Sequence, residues 1–222
     1  LFWHYLEPCN LRPIVKEEYK EPCSRLYIRD KKTLLFEVTY YKKRINFEVF
    51  HALTDGTGAT EFLKECLSDA LIQLMREKDF EKISIKEIAD TAGVGRATWF
   101  RNYTSKNEAL TFKFVQVWNR WADEHAIAVR DRFDLANAKN FFQFNYEIKH
   151  ILEIVYTSNM QSAIYDAFYQ VMMPQYGANA KECYQARFYS YGLFGLLDEW
   201  IKRGFKESVE EMVIFFYQII KN

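Results

Sequence analysis

Ser84-Ile-Lys-Glu-Ile-Ala-Asp-Thr-Ala-Gly-Val-Gly-Arg-Ala-Thr-Trp-Phe-Arg-Asn-Tyr-Thr-Ser-Lys106 reads as two short helices joined by a tight glycine turn. Ile85, Ile88, Ala89 and Ala92 form an i, i+3, i+4, i+7 stripe, the signature of a helix with one buried face. Ser84 with Glu87 is a capping box that starts this helix, and Ser105 with Glu108 is expected to start another. Between them lies a third helix whose cations have no acid beside them. Trp99 and Tyr103, with Val94 before them, are expected to pack inward, which turns Arg96, Ala97, Phe100, Arg101 and Thr104 to the opposite face. Two arginines, a small residue and a flat aromatic on one exposed face suit a DNA major groove. Arginine pairs bidentately with guanine, and an alanine methyl touches thymine. Three cations alone would be no more than a solvated face; the capping boxes, the Ala-Gly-Val turn and the aromatic positions favour a helix-turn-helix reader. Arg96, Ala97, Thr98 and Arg101 are therefore expected at the bases, with Phe100 on the same DNA-binding face, and Ser84, Asn102 and Lys106 at the phosphates, where helix N-termini offer backbone N–H groups.

Further motifs extend the pattern. Phe80, Ile83-Ser84, Ile88-Ala89-Asp90-Thr91-Ala92-Gly93-Val94 and Tyr103-Thr104-Ser105-Lys106-Asn107-Glu108-Ala109-Leu110 follow one another at fixed spacing. In these residues the chain resembles the tetracycline-repressor-like (TetR) family of bacterial regulators, over about residues 59–222. The resemblance implies a homodimer on a palindromic operator and an all-helical second domain that answers to a small molecule. Two positions depart from the family pattern. Phe100 stands where a tyrosine commonly reaches a phosphate, so that hydroxyl contact is lost, and Gly95 replaces the usual Ser or Thr.

Helical periodicity continues from Thr60 almost to Asn222. In the first helix Phe62, Cys66, Leu67, Ala70, Leu71 and Leu74 share one face. A long helix from Ser105 carries Leu110, Phe114, Val117, Trp118 and Trp121 inward, and further helices are expected near 138–156, 160–172 and 180–203. A connection is expected at 130–140. Gly204 suits a C-terminal cap, and Ser208 with Glu211 opens a last helix. The aromatics of this half mainly fill volume. The resemblance implies that some line a pocket for an apolar or aromatic effector, with Trp118, Phe142, Tyr146, Tyr165, Tyr169 and Phe188 as candidates. It also implies that the last two helices, about 180–221, pair with a second subunit, where Gly192 and Gly195 would permit close approach.

The whole chain sets outer limits. With 30 Lys and Arg against 30 Asp and Glu, its formal net charge is zero, which argues against non-specific coating of nucleic acid but not against a local basic face. Four cysteines, Cys9, Cys23, Cys66 and Cys183, lack metal-ligand spacing, so free thiols are expected and neither a metal nor a cofactor. His125 and His150 likewise lack partners at ligand spacing. No apolar run reaches the roughly 18 residues of a membrane-spanning helix, and no signal peptide opens the chain, so a cytoplasmic protein is expected.

Residues 1–58 have a different character. Leu34–Tyr40 and Ile45–Phe50 flank Lys42-Lys43 as a β-hairpin. His51-Ala-Leu-Thr-Asp55-Gly56 matches HxxxDG and is similar to the motif of chloramphenicol-acetyltransferase-like and alcohol-acetyltransferase enzymes. In such enzymes the histidine is the general base and the aspartate orients the structure around it. Some 65 residues cannot build the channel where two substrates meet, so His51 and Asp55 are expected to be vestigial and the chain not to be an enzyme. The first residue is Leu, and the chain is expected to be a fragment at that end, fused through Glu61–Glu65. The expected fold is mainly α. It has a β-rich segment over 1–58, a three-helix DNA-binding domain over 59–106 and an all-helical effector and dimerisation domain over 107–222. The rivals are an acyltransferase using His51 and a helical dimer that has lost DNA binding.

Overall fold

A computed structural model describes residues 14–19, 36–42, 44–49, 56–127, 138–172 and 179–221. The helix-turn-helix begins where the capping box predicts. Ser84 Oγ accepts from Glu87 N at 3.2 Å, and Ser84 N donates to the Glu87 carboxylate at 2.9 Å. That starts α2 (Ile85–Thr91), with Ile88 and Ala89 buried and Ile85 and Ala92 half-buried. The Ala-Gly-Val turn ends it. Gly93 takes a φ of 70°, its N–H donates to Asp90 O, and Val94 N donates to Ala89 O. This is a Schellman motif, in which the left-handed residue satisfies two carbonyls that the helix leaves over. The chain then enters α3 (Arg96–Asn102).

Among the described residues three strands precede the helices. The two longer ones, β2 (Phe36–Tyr41) and β3 (Arg44–Val49), form the expected antiparallel hairpin, with Tyr41 facing Arg44 across the turn and Lys42 at a φ of 52°. The sequence did not mark β1 (Val15–Glu17), which pairs parallel with the outer edge of β2. Tyr19 Oη donates to Glu37 on β2 and Asn46 Nδ2 on β3 to Glu18, tying the residues after β1 to both strands of the hairpin. The HxxxDG histidine and aspartate, His51 and Asp55, lie outside the described residues, as do Cys9, Cys23 and most of the expected connection at 130–140.

The first helix, α1 (Gly56–Glu77), starts four residues before the expected Thr60. Leu67, Ala70, Leu71 and Leu74 are buried on it as expected, and Cys66 is half-buried. Phe62 is a correction, since it is 48% exposed one turn before the buried run begins. A single 3-10 turn (Phe80–Lys82) leads into α2. The described residues divide into two compact units, 1–70 with 84–103 and 71–83 with 104–222.

The second unit is built on α4 (Lys106–Glu124), which buries Leu110, Phe114, Trp118 and Trp121. Its start departs from the expected capping box. Ser105 Oγ accepts from Glu108 N, but the Glu108 carboxylate reaches back to Thr104 N and Oγ1 instead of Ser105 N. The helix expected over 138–156 is two helices, α5 (Ala138–Glu147) and α6 (Lys149–Thr157), broken at buried Ile148 with φ −93° and ψ 12°. No proline or glycine marks the break, so the apolar period runs through it unchanged. Then come α7 (Ser162–Met172), α8 (Ala180–Lys202) and α9 (Val209–Lys221). The expected Ser208–Glu211 box is formed, and Asn179 with Glu182 makes another that the sequence displays as Asn-x-x-Glu. Helices α4 and α7 are clasped by polar side chains. Asn107 Nδ2 donates to Asp166 at 2.9 Å, Ser162 Oγ to Asn107 Oδ1 at 2.8 Å and Thr111 Oγ1 to Ala163 O at 3.3 Å.

Gly204 caps α8 as expected, in a second Schellman motif with a φ of 73°. Phe205 N donates to Trp200 O, and the two rings meet at 5.0 Å. At the end of α4 the same motif carries an alanine. Ala126 has a φ of 54°, and Ile127 N donates to Ala122 O. An L-residue there costs about 1–2 kcal/mol, part of which glycine returns as greater freedom of the unfolded chain. Ala126→Gly is therefore expected to stabilise the protein by about 0.5–1 kcal/mol in urea denaturation; a lower midpoint would contradict this reading of the cap.

Candidate nucleic-acid interface

The two aromatic anchors fix the orientation of α3. Trp99 is 1% exposed and Tyr103 3%, with ring centroids 5.3 Å apart. Tyr103 Oη donates to Lys64 O on α1 at 2.9 Å, and the Lys64 ammonium lies over the same ring. A buried tyrosine whose hydroxyl is bonded in this way sets the rotation of α3 about its own axis. The outward face follows from that rotation. Arg96, Ala97, Phe100 and Arg101 are exposed and Thr98 is half-buried. Among the described residues no carboxylate holds Arg96 or Arg101, so both guanidinium groups are open to a partner. Arg96 leans over the Phe100 ring, 5.3 Å from its centroid, which restrains its long side chain near the groove-facing surface.

The expected phosphate contacts are more encumbered. Ser84 Oγ donates to the Glu87 carboxylate at 2.7 Å, so an anion already occupies the start of α2. Asn102 Nδ2 donates to Thr98 O at 2.7 Å within α3. In the second unit the Lys106 ammonium donates to Phe80 O at 2.9 Å and Ile83 O at 3.1 Å and sits 4.1 Å over the Phe80 ring. Burial lowers its pKa from the ordinary lysine value, and the charge of Glu81 partly offsets this. Lys106 thus closes the 3-10 turn with its ammonium, and only backbone N–H groups at the start of α4 remain for an anion. The sequence shows the cation but not the two carbonyls that claim it.

The six aromatics expected at an effector pocket fall into separate groups. Trp118 stacks on Trp121 at 5.8 Å and meets Phe144 edge-on. Phe142 is fully buried against Trp200 and Phe216, and Tyr146 stacks on Trp200 from its other neighbourhood, half out in solvent. Tyr165 and Tyr169 stand together with Tyr191. There Arg187 donates to Tyr165 Oη at 2.7 Å and lies 3.4 Å over the Tyr169 ring. Phe188 is apart from all of these and 73% exposed, in a shallow groove of about 510 Å³ along α8 with Tyr184 and Tyr189. His125 stacks on Trp121 at 4.0 Å, with Nδ1 on Trp121 O. Among the described residues no three His, Cys, Asp or Glu side chains gather where a metal could be held, and no helix is long and apolar enough to cross a membrane.

No curated protein matches the chain. Among solved structures it is similar to a TetR transcriptional regulator from Rhodococcus sp. RHA1, at 16% identity over 73% of this chain and 94% of that one, with a TM-score of 0.43. It is also similar to the fatty acid degradation regulator FadR from Bacillus halodurans, at 18% identity over 70% and 93% of the two chains, with a TM-score of 0.40. Residues 67–110 match the family of bacterial regulatory proteins, tetR family, and residues 136–222 match a transcriptional regulator C-terminal region of TetR type. The chain therefore carries the DNA-binding and the C-terminal domains of the TetR family of transcriptional regulators.

Proposed function

We propose that the protein works in the cytoplasm as a homodimer on a palindromic operator, as a repressor released by a small apolar or aromatic effector. Residues 59–106 serve DNA and residues 107–222 serve the effector and the second subunit. The observation that carries this reading is the outward face of α3, two exposed arginines that no carboxylate of the described residues holds, kept in register by buried Trp99 and Tyr103. Arg96, Ala97, Thr98 and Arg101 face bases, with Phe100 giving apolar contact. Asn102 and the backbone N–H groups near Ser84 and Lys106 meet phosphates. Trp118, Phe142, Tyr146, Tyr165 and Tyr169 supply aromatic surface for the effector, while the exposure of Phe188 favours the dimer face. Retardation of the intergenic DNA beside its own gene tests the reading, and no retardation would end it.

We also take residues of about 1–65 as a piece related to HxxxDG acyltransferases, without their activity. Support comes from the β2–β3 hairpin that leads into the motif. A general base without a substrate channel gains nothing from proximity. Wild type and His51→Ala are expected to transfer acetyl groups at the same background rate, and a rate that depends on His51 would contradict the assignment.

A further inference from the structure

Phe100 is the largest apolar group on the outward face of α3, and 60% of it is exposed. Trp99, the other aromatic residue of this helix, is buried. Of the exposed neighbours, Arg96 and Arg101 are cations and Ala97 offers a single methyl group. A phenylalanine ring has no conventional donor or acceptor, so it cannot hold a phosphate or read a base edge by hydrogen bonding. What it offers DNA is a flat apolar surface. Phe100 lies four residues after Arg96, one turn on along the same face, and the Arg96 guanidinium carbon lies over its ring, 5.3 Å from the centroid. One face of the ring thus holds Arg96 in place before DNA arrives, which lowers the ordering cost of binding. The other face and the edge are left for a second group.

That contact decides which bases the pair can read together. A bidentate arginine lies in the plane of its guanine, and successive base pairs are about 3.4 Å apart. A helix advances about 5.4 Å per turn, so a ring one turn beyond Arg96 and against its guanidinium reaches the adjoining base pair. In the major groove the one apolar group on a base edge is the C5 methyl of thymine, which cytosine lacks.

We infer that each half-site of the operator carries a thymine beside the guanine that Arg96 reads, and that Phe100 determines specificity by covering the methyl group of that thymine. This rests on the DNA-reading assignment of α3 and narrows it to one base-pair step.

Selection of bound duplexes from a random pool yields the operator, and anisotropy titration of the full chain with that duplex tests the step. The guanine read by Arg96 is the one whose replacement by 7-deazaguanine weakens wild type but not Arg96→Ala. Replacing the thymine beside it by deoxyuridine removes the methyl group alone. In one half-site this is expected to weaken wild type about fourfold, the cost of uncovering one methyl group. Phe100→Ala should be indifferent to the methyl, and Phe100→Tyr, which keeps the ring, should restore the difference. The salt dependence of Phe100→Ala should match wild type, because no phosphate contact is lost. Its melting curve should match as well, since the ring lies outside the core. No guanine that depends on Arg96, a selected site without thymine beside it, or a methyl effect that persists in Phe100→Ala would overturn the inference and leave α3 as the reader. Selection of no sequence at all would end the DNA reading on which it rests.

Discussion

Arg96→Ala combined with Arg101→Ala is expected to abolish retardation of the operator at salt concentrations where wild type binds. A bidentate arginine–guanine contact contributes about 1–3 kcal/mol of discrimination, so losing two weakens specific binding roughly thirtyfold or more. The same change should hardly touch stability. Both side chains are exposed and in no ion pair among the described residues, and the Arg96–Phe100 stack contributes only about 0.5–1 kcal/mol at such a site. Fluorescence anisotropy with labelled DNA measures the first effect and thermal melting the second. A double variant that binds like wild type would remove α3 from the interface. A double variant that unfolds would show that the arginines hold the fold instead of reading DNA.

Phe188→Glu is expected to turn a dimer into a monomer in sedimentation equilibrium and to weaken operator binding with it. On α8 the exposed Tyr184, Phe188 and Tyr191 lie at i, i+4 and i+7, with Gly192 and Gly195 continuing the stripe. A Cβ at either glycine would meet nothing within 4 Å. Helix α9 adds exposed Ile214, Phe215 and Ile219 at i, i+1 and i+5. Soluble monomers rarely leave such apolar surface in contact with water. Burying a phenylalanine side chain contributes about 1.5–3 kcal/mol, and two-fold symmetry counts each substitution twice. The dimer constant should therefore fall by two orders of magnitude or more, before the cost of placing two carboxylates there. A variant that remains dimeric at micromolar concentration would place the subunit contact elsewhere.

Local rules made the reader legible in the sequence. Ser84 with Glu87 and Gly93 with Val94 fix the ends of α2 through hydrogen bonds spanning three to five residues, and the helical turn of α3 separates buried Trp99 from exposed Arg101 two residues on. The hairpin at Lys42 is legible for the same reason. What escaped depends on partners distant in sequence or on breaks that leave no trace in composition. Lys106 looks like a phosphate cation until the carbonyls of Phe80 and Ile83 come beneath its ammonium. The Ile148 break keeps apolar residues in period on both sides, so nothing in the pattern announces it. Phe188 has the composition of a core residue, yet it lies on the outer face of α8 because α7 and α6 pack on the other side. Asn145 is a polar residue centred on a buried face, and only the packed helices show that its oxygen has no partner among the described residues.

In the proposed function α3 reads DNA through Arg96 and Arg101. The most direct test is the affinity of wild type and the double arginine variant for the intergenic DNA beside the gene, measured from low to moderate salt. Wild type is expected to bind with an affinity that falls linearly in log–log form as salt rises, each phosphate contact adding about −0.9 to the slope, and to be outcompeted by its own site far better than by unrelated DNA. The variant should retain only the weak, sequence-indifferent part. Absence of retardation by wild type at every salt concentration would contradict the account and leave a helical dimer that has lost its DNA.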